Sequence, residues 1–201
     1  MTTELHATQV DLSGLLEVLG KNLYSTPAVA IRELIQNAHD ACIRHKLEAP
    51  DQQQAYRINL STGANNTLRI EDNGSGLTRD EIVEYLATVG SGYTRVLRQQ
   101  TDSEEMIGYF GLGFLSAYVV AEKVEAWTTS YQNTDQGWHF ASSTGGLRFI
   151  LNEIESVNVG TQVLLSLKPE FHELAVADVL ASLLQQYACF SRLFKEIYDF
   201  E

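Results

Sequence analysis

Positive charge is scarce in this sequence. Its 201 residues hold 14 Lys and Arg against 26 Asp and Glu, a formal net charge of −12. The deficit is spread along the chain and no basic patch stands out. Sequence-independent binding to a DNA or RNA backbone, which needs clustered cations, is therefore not expected. Cysteine is scarce as well. Cys42 and Cys189 lie far apart and make no paired motif, which points to a reducing cytosolic setting without a disulfide framework. The five histidines show no His-Glu-x-x-His spacing and no pairing with the cysteines, so a structural zinc is not expected. His39 and His45 read as ordinary helix-surface residues. The longest strongly apolar run, Leu112 to Ala121, is far short of a membrane span and is interrupted by Gly113 and Ser116. No basic stretch followed by an apolar one opens the chain, so no secretory signal is expected.

What remains is ordinary globular material, 44% hydrophobic and 20% charged, of a length that suits one domain. Glycine is ordinary in number but not in placement: seven of the 14 fall between residues 74 and 113. Leu12, Leu15, Leu16, Leu19 and Leu23 predict an amphipathic helix over 12–24. Thr26 and Pro27 suit the N-cap and first position of a second helix running to about His45, with Ile31, Leu34, Ile35, Ala38 and Cys42 inward. Alternation at Tyr56, Ile58 and Leu60, and at Leu68 and Ile70, predicts a hairpin. Thr78 and Glu81 form a capping box for a helix through Ile82, Leu86 and Val89. Residues 90–107 are polar and lack a clean period, as lids and disordered segments do. Strand-like runs at 123–131, 138–142, 147–151 and 161–167 precede a helix from about His172 to Tyr187. The order predicts an α+β two-layer sandwich, with helices on one face of a mainly antiparallel, mixed sheet.

Four groups of residues carry chemistry. Glu33, Asn37, Asp40 and Arg44 share one helical stripe. Alone it would read as a solvated face, but Asn37 offers a neutral oxygen to a hard cation and Glu33, one turn earlier, can deprotonate a water. Asp72-Asn73-Gly74-Ser75-Gly76 reads first as a turn. A carboxylate at a strand end can also accept from an exocyclic amine, and the two glycines let a flat ligand approach the backbone. Gly108, Gly111 and Gly113 stand before a helix and can expose N–H groups to phosphate. They form neither a Walker A loop, since Phe114 stands where lysine would be, nor a Rossmann turn. Gly160-Thr161 opens a strand and means little by itself.

In this order the motifs resemble the ATP-binding domain shared by gyrase, heat-shock protein 90, histidine kinases and MutL. Within that superfamily the chain resembles the N-terminal domain of the heat-shock protein 90 family, which includes bacterial HtpG. The stretches responsible are Leu23 to Ser25, Ala30 to Ala41, Gly108 to Val124 and Trp138 to Gly146; similarity runs from about Thr8 to Leu183.

The resemblance implies a Bergerat-type fold, one nucleotide-binding domain over 1–201 with a lid at about 90–107, and a longer chaperone of which this is a part. It implies ATP and Mg2+ as ligands, with Glu33 as general base and Asn37 holding the Mg2+. Asp72 would accept from the adenine amine, completed by Gly76 and Thr161. Ala41, Leu77, Leu112 and Phe114 would wall the base and sugar, and the backbone from Gly108 through Gly111 and Gly113 would hold the phosphates. Asp40 and Arg44 would either stand behind the residues that touch the ligand or form a polar rim. The implied activity is slow ATP hydrolysis driving lid closure and homodimerisation, in a cytoplasmic stress-response chaperone that meets client proteins through other domains, with neither nucleic acid nor membrane as partner. A histidine-kinase-like phosphotransfer domain and a non-hydrolysing ATP-gated interaction module are the alternatives. The sequence departs from the heat-shock pattern at Leu77, where methionine is usual, at Tyr109, where glutamine is common, and at Gly90-Ser91-Gly92, which lacks a lysine. The arginine that the family's middle domain brings to the γ-phosphate is not in these 201 residues.

Overall fold

The computed structural model of the chain describes residues 27–52, 54–86, 114–143 and 148–188, the last five of these by backbone alone. The expected helix over 12–24, Thr26, the lid at 90–107, Gly108 to Gly113 and Cys189 lie outside the described residues.

Helix α1 spans Ala28–Glu48. Its 21 residues hold four alanines and neither glycine nor proline, a composition that favours helix throughout. Pro27 sits at the N-cap, one place earlier than the sequence suggests. Pro50 disfavours helical geometry at Ala49, which adopts φ −128° and ψ 60°. Strands β1 (Ile58–Gly63) and β2 (Thr67–Asp72) form the expected hairpin, turned through Asn65 and Asn66 at φ 58° and 55°. The capping box is present: Thr78 Oγ1 accepts from the Glu81 N–H, and the Glu81 carboxylate accepts from the Thr78 N–H. The helix it opens, α2 (Arg79–Glu81), is a single turn that widens into a π-helical stretch, Ile82–Leu86.

A 3₁₀ turn (Phe114–Ser116) and helix α3 (Ala117–Val120) lead into β3 (Ala121–Thr129), β4 (Gly137–Ser143), β5 (Phe149–Ile154) and β6 (Gly160–Leu167). The single helix expected over 172–187 is divided. A 3₁₀ segment (Pro169–Ala175) and helix α4 (Ala177–Ala188) meet at Val176, whose backbone is extended.

The six strands lie in the order β1-β2-β6-β3-β4-β5, and every pairing among the described strands is antiparallel. Side chains alternate between faces. One face carries Leu68, Ile70, Val124, Ala126, Phe140, Leu165 and Leu167, all buried against Ile31, Leu34, Ile35, Ala38 and Cys42 of α1 and against the 114–120 segment. The other face shows Trp127 stacked on His139, with Glu125 bridged to Lys123 and His139. This is the expected α+β two-layer architecture. Among the described residues no helix is long and apolar enough to cross a membrane.

Candidate functional site

Three cross-strand neighbours interrupt the apolar face at one end of the sheet. Asp72 at the end of β2 pairs with Thr161 at the start of β6, and Thr161 pairs with Thr128 near the end of β3. Paired residues project from the same face, so the three polar side chains stand in one row. Asp72 is only 8% exposed. Its Oδ1 accepts from the Gly74 N–H at 2.9 Å, and the Thr161 N–H also bonds the carboxylate. Burial outweighs both bonds and, with the nearby Glu71 charge, pushes its pKa up to about 7. Cys42 of α1 lies beside it, its thiol pushed far up by burial and by that same carboxylate. Burying each neighbouring Leu, Ile or Val contributes about 1.5–3 kcal/mol, which offsets the cost of keeping a carboxyl here. A buried carboxyl poised near neutrality makes Asp72 a candidate for a functional site.

The segment after Asp72 is fastened along its length, which a plain turn would not need. The Asn73 side chain donates to Ala55 O and accepts from the Arg57 N–H, and its own carbonyl accepts from Gln54 Nε2. Ser75 N donates to Ala41 O on α1 at 3.0 Å, and Ser75 O accepts from the Tyr131 N–H. Gly76 takes φ +59° directly under the Thr129 carbonyl, leaving no room for a side chain. Leu77 N donates to Thr128 Oγ1 at 2.9 Å. Gly160 has φ +130°, and a Cβ there would lie 2.1 Å from the Asp72 carbonyl oxygen. Gly160→Ala therefore strains the backbone and pushes β2 away at the same time. It is expected to cost about 3 kcal/mol or more, read as a lowered urea midpoint.

The α1 stripe divides into two halves. Asn37 is exposed, and Glu33 is partly exposed with its Oε1 held by Arg32 Nη2 at 2.9 Å. Asp40 and Arg44 are buried, which fits the place behind the ligand contacts and not the rim, since the 72–78 segment and the turn at Tyr131 cover the helix's C-terminal half. Arg44 pairs with Glu48 and Glu81, and Tyr131 donates its hydroxyl to Glu48. The same cover corrects the reading of the two histidines. His39 and His45 are both buried, and His45 hydrogen-bonds Gln52 and Gln54 between the rings of Tyr56 and Tyr131.

Among the remaining candidates, Ala41 is half-buried beside the Asp72 segment and Leu77 is packed at the core's margin. Phe114 sits in the core, edge-on to Tyr118 and Phe140. Gly108, Gly111, Leu112 and Gly113 lie outside the described residues. Sequence reasoning missed Thr128, which joins Leu77, Gly160 and Thr161. The available signal was a hydroxyl at the inward position of the series Val124, Ala126, Thr128. Glu33, Asn37 and Ala41 follow at i, i+4 and i+8, so a ligand held at Asp72 could extend along α1 for roughly 12 Å to reach Glu33.

A family model described as histidine kinase-, DNA gyrase B-, and HSP90-like ATPase matches residues 24–175. The mitochondrial heat shock protein 75 kDa of Bos taurus is 34% identical over 194 residues, covering 92% of this chain and 28% of that protein. The chaperone protein HtpG of Rhizobium meliloti is 36% identical over 185 residues, covering 84% of this chain and 29% of its own. A mitochondrial TNF receptor-associated protein 1 homolog of Dictyostelium discoideum is 30% identical over 194 residues, covering 90% and 27%. The chain thus spans about three tenths of the length of these curated relatives.

Proposed function

The chain belongs to the histidine kinase-, DNA gyrase B-, and HSP90-like ATPase family, on its heat-shock protein 90 branch, and from that premise we propose that it is the nucleotide-binding domain of a molecular chaperone. It binds ATP, hydrolyses it slowly, and uses the cycle to drive lid closure and homodimerisation of a longer protein that handles client polypeptides. The buried Asp72 carboxyl, fixed from two sides and flanked by Thr161, carries this reading. The relatives' names favour a chaperone over a phosphotransfer module.

Each residue has a task the chemistry can support. Asp72 accepts from the adenine amine, Gly76 lets the base approach the backbone, and Thr161 completes that end. Ala41, Leu77, Leu112 and Phe114 give the base and sugar apolar contact. The backbone of Gly108, Gly111 and Gly113 holds the phosphates, with residues 90–107 closing over them. Mg2+ suits the donors present: Asn37 is exposed and supplies one neutral oxygen, and Mg2+ ordinarily takes few protein ligands beside phosphate oxygens. When bound, it neutralises phosphate charge. Glu33, one turn from Asn37, removes the proton of the attacking water. Turnover is slow because phosphoryl transfer benefits from a cationic finger that another domain supplies. A cytoplasmic, stress-response setting accords with the HtpG relatives, although mitochondrial proteins stand equally near.

Calorimetric titration with adenosine, whose base and sugar do not ionise near neutrality, tests the pocket directly. The amine binds the ionised form of Asp72, whose pKa of about 7 reflects burial together with Glu71. Affinity is then expected to rise about tenfold from about pH 6 to about pH 8, because the competent fraction rises by that factor. No saturable binding at any pH would refute the proposal.

A further inference from the structure

The hydroxyl hydrogens around Thr128 can be assigned by elimination. Thr128 is only 1% exposed and its Oγ1 meets three neighbours: Leu77 N at 2.9 Å, Gly160 O at 2.9 Å and Thr161 Oγ1 at 3.0 Å. A hydroxyl has one hydrogen and two lone pairs. The Gly160 carbonyl can only accept, so it takes the Thr128 hydrogen. The Leu77 N–H can only donate, so it fills one Thr128 lone pair. The other lone pair faces Thr161, whose hydroxyl must therefore donate to it. Thr161 is half-buried, and with its hydrogen committed inward it can offer a ligand only lone pairs. Beside it stands the Asp72 carboxyl, which already receives the N–H groups of Gly74 and Thr161.

We propose that Thr128, a positioning residue, fixes the Thr161 hydroxyl as an acceptor, so that this end of the site selects a nucleobase carrying an amino group over one carrying a carbonyl at the same place. The inference rests on the nucleotide-binding reading and extends it to base selectivity. An amine meets two acceptors there. A carbonyl at that position meets lone pairs, and Thr161 cannot turn to donate without leaving one buried lone pair of Thr128 unfilled, its bonds to Leu77 and Gly160 remaining.

The test compares the affinities of ADP and inosine diphosphate, in which a carbonyl replaces the amino group and the adjacent ring nitrogen gains a hydrogen, by calorimetry at about pH 8, where Asp72 is ionised; the change of preference between variants of Thr128 isolates the contribution of that residue. The unaltered chain is expected to favour ADP by about a hundredfold. Thr128→Val releases the Thr161 hydrogen to face the ligand, and the preference is expected to fall about tenfold; Thr128→Ser, which keeps the hydroxyl, is expected to restore it. A preference unchanged in Thr128→Val, or still lost in Thr128→Ser, would overturn the assignment. Should Thr128→Val fail to fold by circular dichroism, Thr161→Val leaves the bonds of Thr128 to Leu77 and Gly160 in place and is expected to lose the preference similarly; retention there overturns the proposal. The unaltered chain binding both nucleotides equally defeats this inference alone, whereas binding neither defeats the nucleotide reading as well.

Discussion

Asp72→Asn is expected to abolish adenine-nucleotide binding while making the empty domain more stable. The first effect follows from donor geometry. The carboxylate accepts from the Gly74 and Thr161 N–H groups and retains lone pairs for an incoming amine. An asparagine has one oxygen, and its NH2 must face a backbone N–H or the ligand amine, donor against donor. A loss of at least about a hundredfold in affinity is expected. The second effect follows from linkage. The Asp72 pKa rises from 3.8 in the open chain to about 7 in the fold, chiefly through burial. The folded state therefore holds the proton more tightly, and stability from this group is full below the lower value and declines as pH climbs through the higher one. At about pH 8 the buried charge costs roughly 2–4 kcal/mol, which the amide does not incur. Denaturation at about pH 8 should show the variant more stable, and the gap should narrow steadily as pH falls, closing only below the open-chain value of 3.8. Normal nucleotide affinity in the variant would refute the pocket. Joint loss of affinity and stability would make Asp72 a structural residue.

That opposition between stability and binding explains which parts of the site were legible in the sequence. Asp72 and Gly76 stand out in the sequence because a carboxylate and closely spaced glycines are more than a strand end needs, whereas Gly160, forced by its close approach to the Asp72 carbonyl, carried little signal alone. The hairpin and the capping box were equally legible, since each depends on residues a few positions apart. Thr128 was not, because threonine is an ordinary strand residue and its three partners come from three separate segments. The burial of His39, Asp40, Arg44 and His45 was hidden for a related reason. Helical periodicity reveals which face meets the sheet, but the far face was covered by the 72–78 segment and Tyr131, 27 or more residues further along the chain. The break at Val176 escaped because apolar spacing alone does not distinguish a 3₁₀ turn followed by a helix from one continuous helix.

Glu33→Ala should leave nucleotide affinity within about threefold of the original while lowering turnover by a factor of about 10²–10⁴, the range for removing a general base. The structure permits so clean a separation. Glu33 lies on α1 two turns before Ala41, where the helix touches the Asp72 segment, so the substitution leaves the row of Asp72, Thr161 and Thr128 untouched. Its side chain is one-quarter exposed and paired with its neighbour Arg32, a bond of small stabilising value at such exposure. Alanine also suits a helix interior, so the fold should be unaffected. Radiolabelled ATP under single-turnover conditions measures hydrolysis, and calorimetry with ADP measures binding on the same preparations. Unchanged hydrolysis would remove Glu33 from the reaction. Affinity lost along with turnover would instead place Glu33 among the binding groups, and the base would then have to be sought elsewhere. Arg32 narrows the expected result further: it holds Oε1, which leaves Oε2 as the oxygen available to take the proton. Arg32→Ala should therefore lower turnover less than Glu33→Ala does, because it loosens the carboxylate without removing it.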